Sequence, residues 1–156
     1  MNGETEQIEK QLRTIRIIAL AMLVVAPIIY LVIAMVMNLQ PPPEGTPHDL
    51  IVYLLLIVAI GSPAFVPIIV RLQIQTFRSS ENREKSKMTP INLFFTVSII
   101  GMAFVEAIYI YGLVSFILTG QMVTMLYFYP VGIVWSFVQW PKRQKYDRLV
   151  EKLRQP

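Results

Sequence analysis

The sequence contains no cysteine and only one histidine, His48. Disulfides, thiolate metal sites and cysteine nucleophiles are therefore excluded, and one histidine is too few for a histidine-rich metal site. The sequence also shows no nucleophile–base pair, no phosphate-binding loop and no cluster of metal ligands, whereas an enzyme active site needs several converging polar groups. We therefore expect the chain not to be an enzyme, and to bind neither a cofactor nor a metal.

Basic residues are missing from two long parts of the chain. Neither Lys nor Arg occurs between Arg16 and Arg71, or between Lys87 and Lys142. Four apolar stretches fill most of these parts, at about 15–38, 50–71, 90–118 and 123–140. Each is close to the ~20 residues that a helix needs to cross the hydrocarbon core of a bilayer. Continuous apolar runs favour helices over a membrane β-barrel, whose strands alternate apolar and polar residues. The sequence thus predicts one all-α membrane domain over 1–156, with four transmembrane helices in two hairpins.

The fourteen Lys and Arg residues indicate how these helices are oriented. They lie in the N-terminal arm, in or beside the link at 72–89, and in the C-terminal tail, while the links at 39–49 and 119–122 contain none. Short basic segments stay in the cytoplasm. We therefore predict an inner-membrane protein, of bacterial type, with both termini and residues 72–89 in the cytoplasm. The net charge of +4 reflects this topology and not a nucleic-acid partner.

Prolines and glycines indicate where the helices bend and turn. Pro27 and Pro63 lie inside apolar stretches, where the missing N–H and the ring of proline favour a kink. Pro90 suits the first turn of the third helix, where its missing N–H costs least. The sequence Thr119-Gly120-Gln121 predicts a tight turn, so the third and fourth helices should be antiparallel neighbours.

The C-terminal tail at 142–155 combines basic residues with Tyr146, Leu149, Val150 and Leu153. This pattern is typical of an amphipathic helix that lies on anionic lipid. A solvated continuation of the fourth helix would explain the same residues, because basic residues next to a membrane already follow from the topology. Both interpretations remain open at this point.

One acidic residue, Glu106, lies about midway along the third apolar stretch. An ionised carboxylate there would carry a large desolvation cost, and neither Lys nor Arg lies in its stretch to pair with it. The environment therefore favours the protonated acid, and a carboxyl that takes up and releases a proton is what a proton-carrying site needs. The small residues around it, Gly101, Ala103, Ala107 and Gly112, should allow another helix to pack closely.

Residues 101–114 read Gly-Met-Ala-Phe-Val-Glu-Ala-Ile-Tyr-Ile-Tyr-Gly-Leu-Val. This segment resembles the ion-carrying helix of subunit c of rotary ATP synthases and of the related proteolipids, whose pattern is G-x-A-x-x-E followed by I-Y-G-L. The resemblance implies that Glu106 is an ion-binding carboxylate and that Tyr111 helps to orient it. The rest of the chain lacks the glycine repeat of that family's partner helix, and its Arg-Gln/Asn-Pro loop signature. The resemblance therefore implies a protonatable site and does not define a rotor subunit.

Two functions fit these features. The first is a small membrane protein with a protonatable intramembrane carboxyl, proton-linked, and able to form a homo-oligomer or to join other membrane subunits. The second is a non-transporting scaffold or assembly factor whose basic tails bind a cytoplasmic partner or anionic lipid. In the second case Glu106 would be a neutral acid that holds two helices together, a bond that contributes only about 0.6–2 kcal/mol in membranes. The two functions differ in whether Glu106 faces a partner helix or an aqueous path, or is sealed within one bundle.

Overall fold

The computed structural model describes residues 2–37, 48–78 and 89–154, and within these residues all regular structure is helical. Four helical segments are long and apolar enough to cross a membrane: span 1 (Ile8–Val36), span 2 (Asp49–Thr76), span 3 (Pro90–Thr119) and span 4 (Met122–Gln139). The predicted all-α bundle of four transmembrane helices is confirmed. The proline-rich link before span 2, and most of the polar link before span 3, lie outside the described residues.

Most of the spans are built from more than one helical segment. In chain order the segments are α1 (Asn2–Leu20), a π-helical turn (Ala21–Val25), α2 (Ala26–Val36), α3 (His48–Gly61), a 3₁₀ turn (Ser62–Phe65), α4 (Val66–Arg78), α5 (Pro90–Thr119), α6 (Met122–Leu126), α7 (Phe128–Gln139) and α8 (Arg143–Arg154). The N-terminal arm is helical from Asn2 and runs directly into span 1.

The prolines inside spans 1 and 2 change the winding of the helix around them. Pro27 follows the π-helical turn, in which the Ala26 N–H donates to the carbonyl of Ala21, five residues earlier. Pro63 lies within the 3₁₀ turn. Because proline has no N–H and its ring crowds the carbonyl four residues before it, a local change of winding relieves the conflict. Both spans therefore continue past their prolines.

Span 3 is a single helix with a defined residue at each end. Thr89 is its N-cap, and the Thr89 hydroxyl accepts a hydrogen bond from the N–H of Asn92 at 3.4 Å. Pro90 occupies the first turn, as predicted. At the other end Gly120 has a φ of 64°, a left-handed conformation that glycine adopts without strain. This turn brings span 4 back along span 3, so the two spans are antiparallel neighbours.

Span 3 lies at the centre of the bundle, because each of the other three spans packs against it. Its buried residues Met102, Val105 and Tyr109 form a core with span 1. Spans 1 and 2 have little direct contact with each other, although they are consecutive in the chain. The face of span 3 that includes Ala103 and Ile110 is consequently left exposed between them.

The C-terminal tail forms a separate helix that folds back onto the bundle. Span 4 ends at Gln139, and α8 begins at Arg143 after a break that contains Pro141. Within α8, Leu149 is only 6% exposed, and the ring of Tyr146 meets that of Phe94 edge-on at 5.6 Å between centroids. The tail is therefore an amphipathic helix, and the alternative of a solvated continuation of span 4 is wrong because the helix breaks before the tail.

A lysine of α8 caps the C-terminal end of the helix of span 4. The Lys145 ammonium donates a hydrogen bond to the carbonyl of Val138, in the last turn of that span. Carbonyls in the last turn of a helix have no N–H partner within the helix, so a lysine there supplies one. Burial, and to a smaller extent the positive charge of Lys142, lower the pKa of Lys145 below its ordinary value.

Candidate functional site

Glu106 lies near the middle of span 3, at the border between the packed interior and the exposed face. Its neighbours one turn away divide into two kinds. Met102 and Tyr109 are buried against span 1, whereas Ala103 is exposed and Ile110 is 40% exposed. Glu106 itself is only partly buried. The carboxyl is therefore directed towards a neighbouring helix, and it is not sealed within the bundle.

That neighbouring helix is span 1, which contributes Tyr30. The Tyr30 hydroxyl donates a hydrogen bond to Oε1 of Glu106 at 2.9 Å, across 76 positions of the sequence. Tyr30 lies one turn after Pro27, and one turn before Ala34, which is 3% exposed. Tyr30 was not among the residues predicted to form the site. A tyrosine in the middle of an otherwise apolar stretch was the available signal, since a tyrosine hydroxyl away from water usually finds a partner.

Tyr111, the tyrosine that the resemblance assigns to the carboxylate, lies elsewhere on span 3. It packs against a cluster that includes Val52 and Ala59 of span 2. Five residues separate it from Glu106, which places the two side chains about 140° apart around a helix of 3.6 residues per turn. No hydrogen bond joins them in the described part of the chain. The structure thus brings Tyr30, and not Tyr111, to the carboxyl.

The four small residues predicted to allow close helix packing lie on different faces of span 3. A Cβ atom on Gly101 would lie 2.9 Å from the side-chain oxygen of Gln139, and one on Gly112 would lie 3.1 Å from the backbone oxygen of Met125. These two glycines therefore face span 4. Ala107 is partly buried and Ala103 lies on the exposed face.

Span 4 also packs tightly on span 3 at Gly132, a residue for which the sequence predicted no role. Gly132 of span 4 lies directly against the ring of Tyr109, so that a Cβ atom at Gly132 would lie 2.5 Å from Cζ of that tyrosine. The Tyr109 hydroxyl lies 3.2 Å from Oγ of Ser136. Because Tyr109 is one turn from Glu106, this contact fixes the rotation of span 3 that directs Glu106 towards span 1.

A second tyrosine connects span 4 to the proline of span 1. The Tyr129 hydroxyl donates to the carbonyl of Pro27 at 2.7 Å, and its ring meets that of Tyr109 edge-on at 5.3 Å between centroids. The segment of span 1 that carries Tyr30 is therefore hydrogen-bonded to span 4 through Pro27 and to span 3 through Tyr30 itself. Three tyrosines join spans 1, 3 and 4, and the hydroxyl of each has a hydrogen-bond partner: a carboxyl for Tyr30, a backbone carbonyl for Tyr129 and a serine hydroxyl for Tyr109.

The chemistry available at this site is that of one carboxyl and one phenol. Among the described residues no group of three His, Cys, Asp or Glu side chains could hold a metal ion. The Tyr30 hydroxyl can donate to an ionised carboxylate oxygen or to the carbonyl oxygen of the neutral acid. The pair is therefore compatible with both protonation states of Glu106. The four long apolar helices indicate an integral membrane protein. No family model, curated protein or solved structure matches the chain.

Proposed function

We propose that this protein takes up and releases a proton at Glu106 within the membrane, and that Tyr30 positions the carboxyl. The observation that carries this proposal is the 2.9 Å hydrogen bond from Tyr30 to Glu106, because it gives an intramembrane carboxyl a positioning partner on a different span. Intramembrane acids are rare and are usually functional, because hydrocarbon penalises the charged form. The sequence places neither Lys nor Arg between Lys87 and Lys142, so a proton is the available means of neutralising Glu106.

The partial exposure of Glu106 supports the same proposal. Glu106 borders the exposed face of span 3, so its carboxyl is not sealed within the packed interior of the bundle. The resemblance of residues 101–114 to subunit c also supports the proposal, because that resemblance implies a single ion-binding glutamate within a membrane helix. We extend the proposal neither to a rotor nor to an enzymatic activity.

Infrared spectroscopy of the reconstituted protein tests the proposal. A protonated carboxylic acid in an apolar site has a C=O band that disappears when the acid ionises. We expect the parent protein to show one such band that titrates with pH, and the Glu106→Gln variant to lack it, since glutamine keeps the shape but removes the titration. Tyr30→Phe should shift the band, because the hydrogen bond that it reports is lost.

Glu9→Gln is the matched control, because Glu9 lies on the exposed part of α1 and should leave the band unchanged. A band that survives in Glu106→Gln, or a parent protein with no titrating band at any pH, would contradict the proposal.

The alternative function is a scaffold in which the hydrogen bond between Tyr30 and Glu106 only holds spans 1 and 3 together. The observation that favours it is the same bond, because it joins two spans. Thermal unfolding in detergent of the parent, Glu106→Gln and Glu106→Leu proteins separates the two. We expect Leu to be tolerated, since membrane hydrogen bonds contribute about 0.6 kcal/mol on average and Leu removes a desolvation cost. A large loss of stability for Leu, together with a parent-like Gln variant in proton assays, would favour the scaffold.

We further propose that the termini lie in the cytoplasm of a bacterial inner membrane, as the distribution of Lys and Arg suggests. The chain has no cysteine, so single cysteines at exposed positions are specific reporters. A cysteine at Gln121 should react with an impermeant maleimide added to intact cells, and one at Gln144 should react only after the membrane is opened. The reverse pattern would refute this orientation.

A further inference from the structure

A cleft of about 540 Å³ runs along the seam between spans 1 and 4. Its walls are apolar on both sides, with Leu23, Val24 and Ile28 from span 1 facing Ile133 and Phe137 from span 4. Ile28 is 56% exposed and Phe137 is 76% exposed, so the cleft opens along its length to the surrounding lipid. This volume lies within the roughly 300–1,000 Å³ that is usual for sites that bind small molecules.

The floor of the cleft presents no unpaired tyrosine hydroxyl. Tyr109 and Tyr129 both line it, but the first pairs with Ser136 and the second donates to the carbonyl of Pro27. An occupant would therefore contact hydrocarbon side chains and aromatic rings, and would need no polar group at this depth. A saturated or unsaturated acyl chain meets that requirement.

Positive charge lies where the same seam leaves the membrane. Lys142 lines the end of the cleft beside Trp140. The next residue, Arg143, lines a second hollow of about 730 Å³ together with Lys10, Arg13 and Arg16 of α1. Glu6 and Glu9 also line this hollow, and Glu9 forms an ion pair with Arg143 at 3.1 Å. Four cations and two acids leave it with a surplus of positive charge, to which Lys142 adds.

We call the cleft and this second hollow together the groove, because consecutive residues of the chain line them. On α8 and the preceding residues, Lys142 and Arg143 are adjacent in sequence and line one hollow each. On span 1, Arg16 of the second hollow and Leu23 of the cleft are seven residues apart in sequence. The groove is therefore apolar within the membrane and cationic at its end.

We propose that this groove binds one anionic phospholipid from the leaflet on the side of α8, with an acyl chain in the cleft and the phosphate at Lys142 and Arg16. The apolar part of the groove would match the acyl chain of such a lipid, and the cationic end would match its anionic phosphate. Basic pockets between transmembrane helices at the membrane surface are suited to anionic headgroups. Glu106 does not line the groove, so failure of the lipid proposal would not affect the proton-site proposal, and the reverse is also true.

Quenching of Trp140 fluorescence by brominated lipids tests the site, because Trp140 lines the cleft. The full chain with Trp135→Phe, which leaves Trp140 as the only tryptophan, is reconstituted with trace brominated phosphatidylglycerol or brominated phosphatidylcholine. We expect phosphatidylglycerol to quench at a lower mole fraction. Replacing Arg16 and Lys142 together with Gln should weaken this preference roughly 30-fold, as expected for two basic residues near the membrane surface. Arg71→Gln, an exposed basic residue outside the groove, is the control and should have no effect.

A second variant tests the acyl-chain part of the site. Ile133→Phe should narrow the cleft and reduce quenching by both lipids, whereas Ile17→Phe, at a position 61% exposed and outside the cleft, should not. Equal quenching by the two lipids would mean that only unselected boundary lipid occupies the groove, and would overturn the proposal. A phosphatidylglycerol preference that survives the Arg16 and Lys142 replacements would also overturn the proposal. Complete loss of that preference on adding inorganic phosphate would overturn it as well, because the site would then bind free phosphate and not the lipid.

Discussion

Adding a single methyl group at Gly132 is expected to destabilise the protein by about 1–3 kcal/mol, the usual cost of overpacking a closely packed interior. The new Cβ atom would lie 2.5 Å from Cζ and 2.6 Å from Cε1 of Tyr109, which is too close for non-bonded carbon atoms. The ring cannot move away easily, because Tyr109 is 2% exposed and packs against the ring of Tyr129. Spans 3 and 4 would have to separate.

Thermal unfolding in detergent measures this effect, and Gly61→Ala is the matched control. Beyond the backbone of its own helix and its chain neighbours, no described atom lies within 4 Å of a Cβ built at Gly61, so the same substitution should leave stability unchanged or raise it slightly. Gly132→Ala should unfold at a clearly lower temperature. Combining it with Tyr109→Leu should cost less than the sum of the two single changes, because the second change removes the clash. Equal unfolding temperatures for the two alanine variants would contradict the packing described here.

The contact between Gly132 and Tyr109 also bears on the proton site. Tyr109 and Glu106 are three residues apart and share a side of span 3. Rotation of span 3 to accommodate a larger residue at position 132 would turn Glu106 away from Tyr30. We therefore expect the infrared band of Glu106 to broaden in Gly132→Ala, as the 2.9 Å hydrogen bond is weakened in part of the molecules.

The transmembrane architecture could be predicted from sequence because it follows from composition along the chain. Hydrocarbon requires continuous apolar helices of a given length, and long runs without Lys or Arg are visible in one dimension. The third stretch was predicted at 90–118 and is Pro90–Thr119. The first span was predicted at about 15–38 and lies at Ile8–Val36, within a helix that begins at Asn2. Hydropathy marks the apolar span and not the polar turns that precede it.

The partner of Glu106 could not be predicted in the same way. Tyr30 and Glu106 are far apart in sequence, and their contact depends on how spans 1 and 3 are rotated about their axes. That rotation is set by particular contacts such as Gly132 against Tyr109, which a hydropathy pattern does not record. The local resemblance gave the carboxyl but assigned its partner to Tyr111, on the same helix, whereas the structure supplies the tyrosine from another span.

The sequence also left open where the C-terminal helix packs. In the structure α8 docks on the bundle, next to the start of span 3. Leu149 is 6% exposed within the core that also includes Phe94, at the start of span 3. Truncating a buried leucine costs about 2–5 kcal/mol, and placing an unpaired carboxylate there costs more. Leu149→Asp is therefore expected to release α8 from the bundle while the four spans stay inserted.

Limited trypsin digestion of proteoliposomes measures this release, because Lys145 and Arg148 lie within α8 and are cleavable only when the helix opens. Cleavage of a transiently open segment follows the population of the open form. A loss of about 2 kcal/mol or more should accelerate cleavage at these positions by at least roughly 30-fold. Gln144→Asp, which adds the same charge at an exposed position of the same helix, should cleave like the parent.

The two variants also separate docking on the bundle from attachment to lipid. If α8 were held only by its basic residues on anionic lipid, each new aspartate would weaken it by a similar amount, and cleavage would respond to salt. Because the apolar face of α8 packs on span 3, we expect a large difference between the variants that persists at high salt. Equal acceleration by Leu149→Asp and Gln144→Asp would show that lipid, and not Phe94 and its neighbours, holds the tail in place.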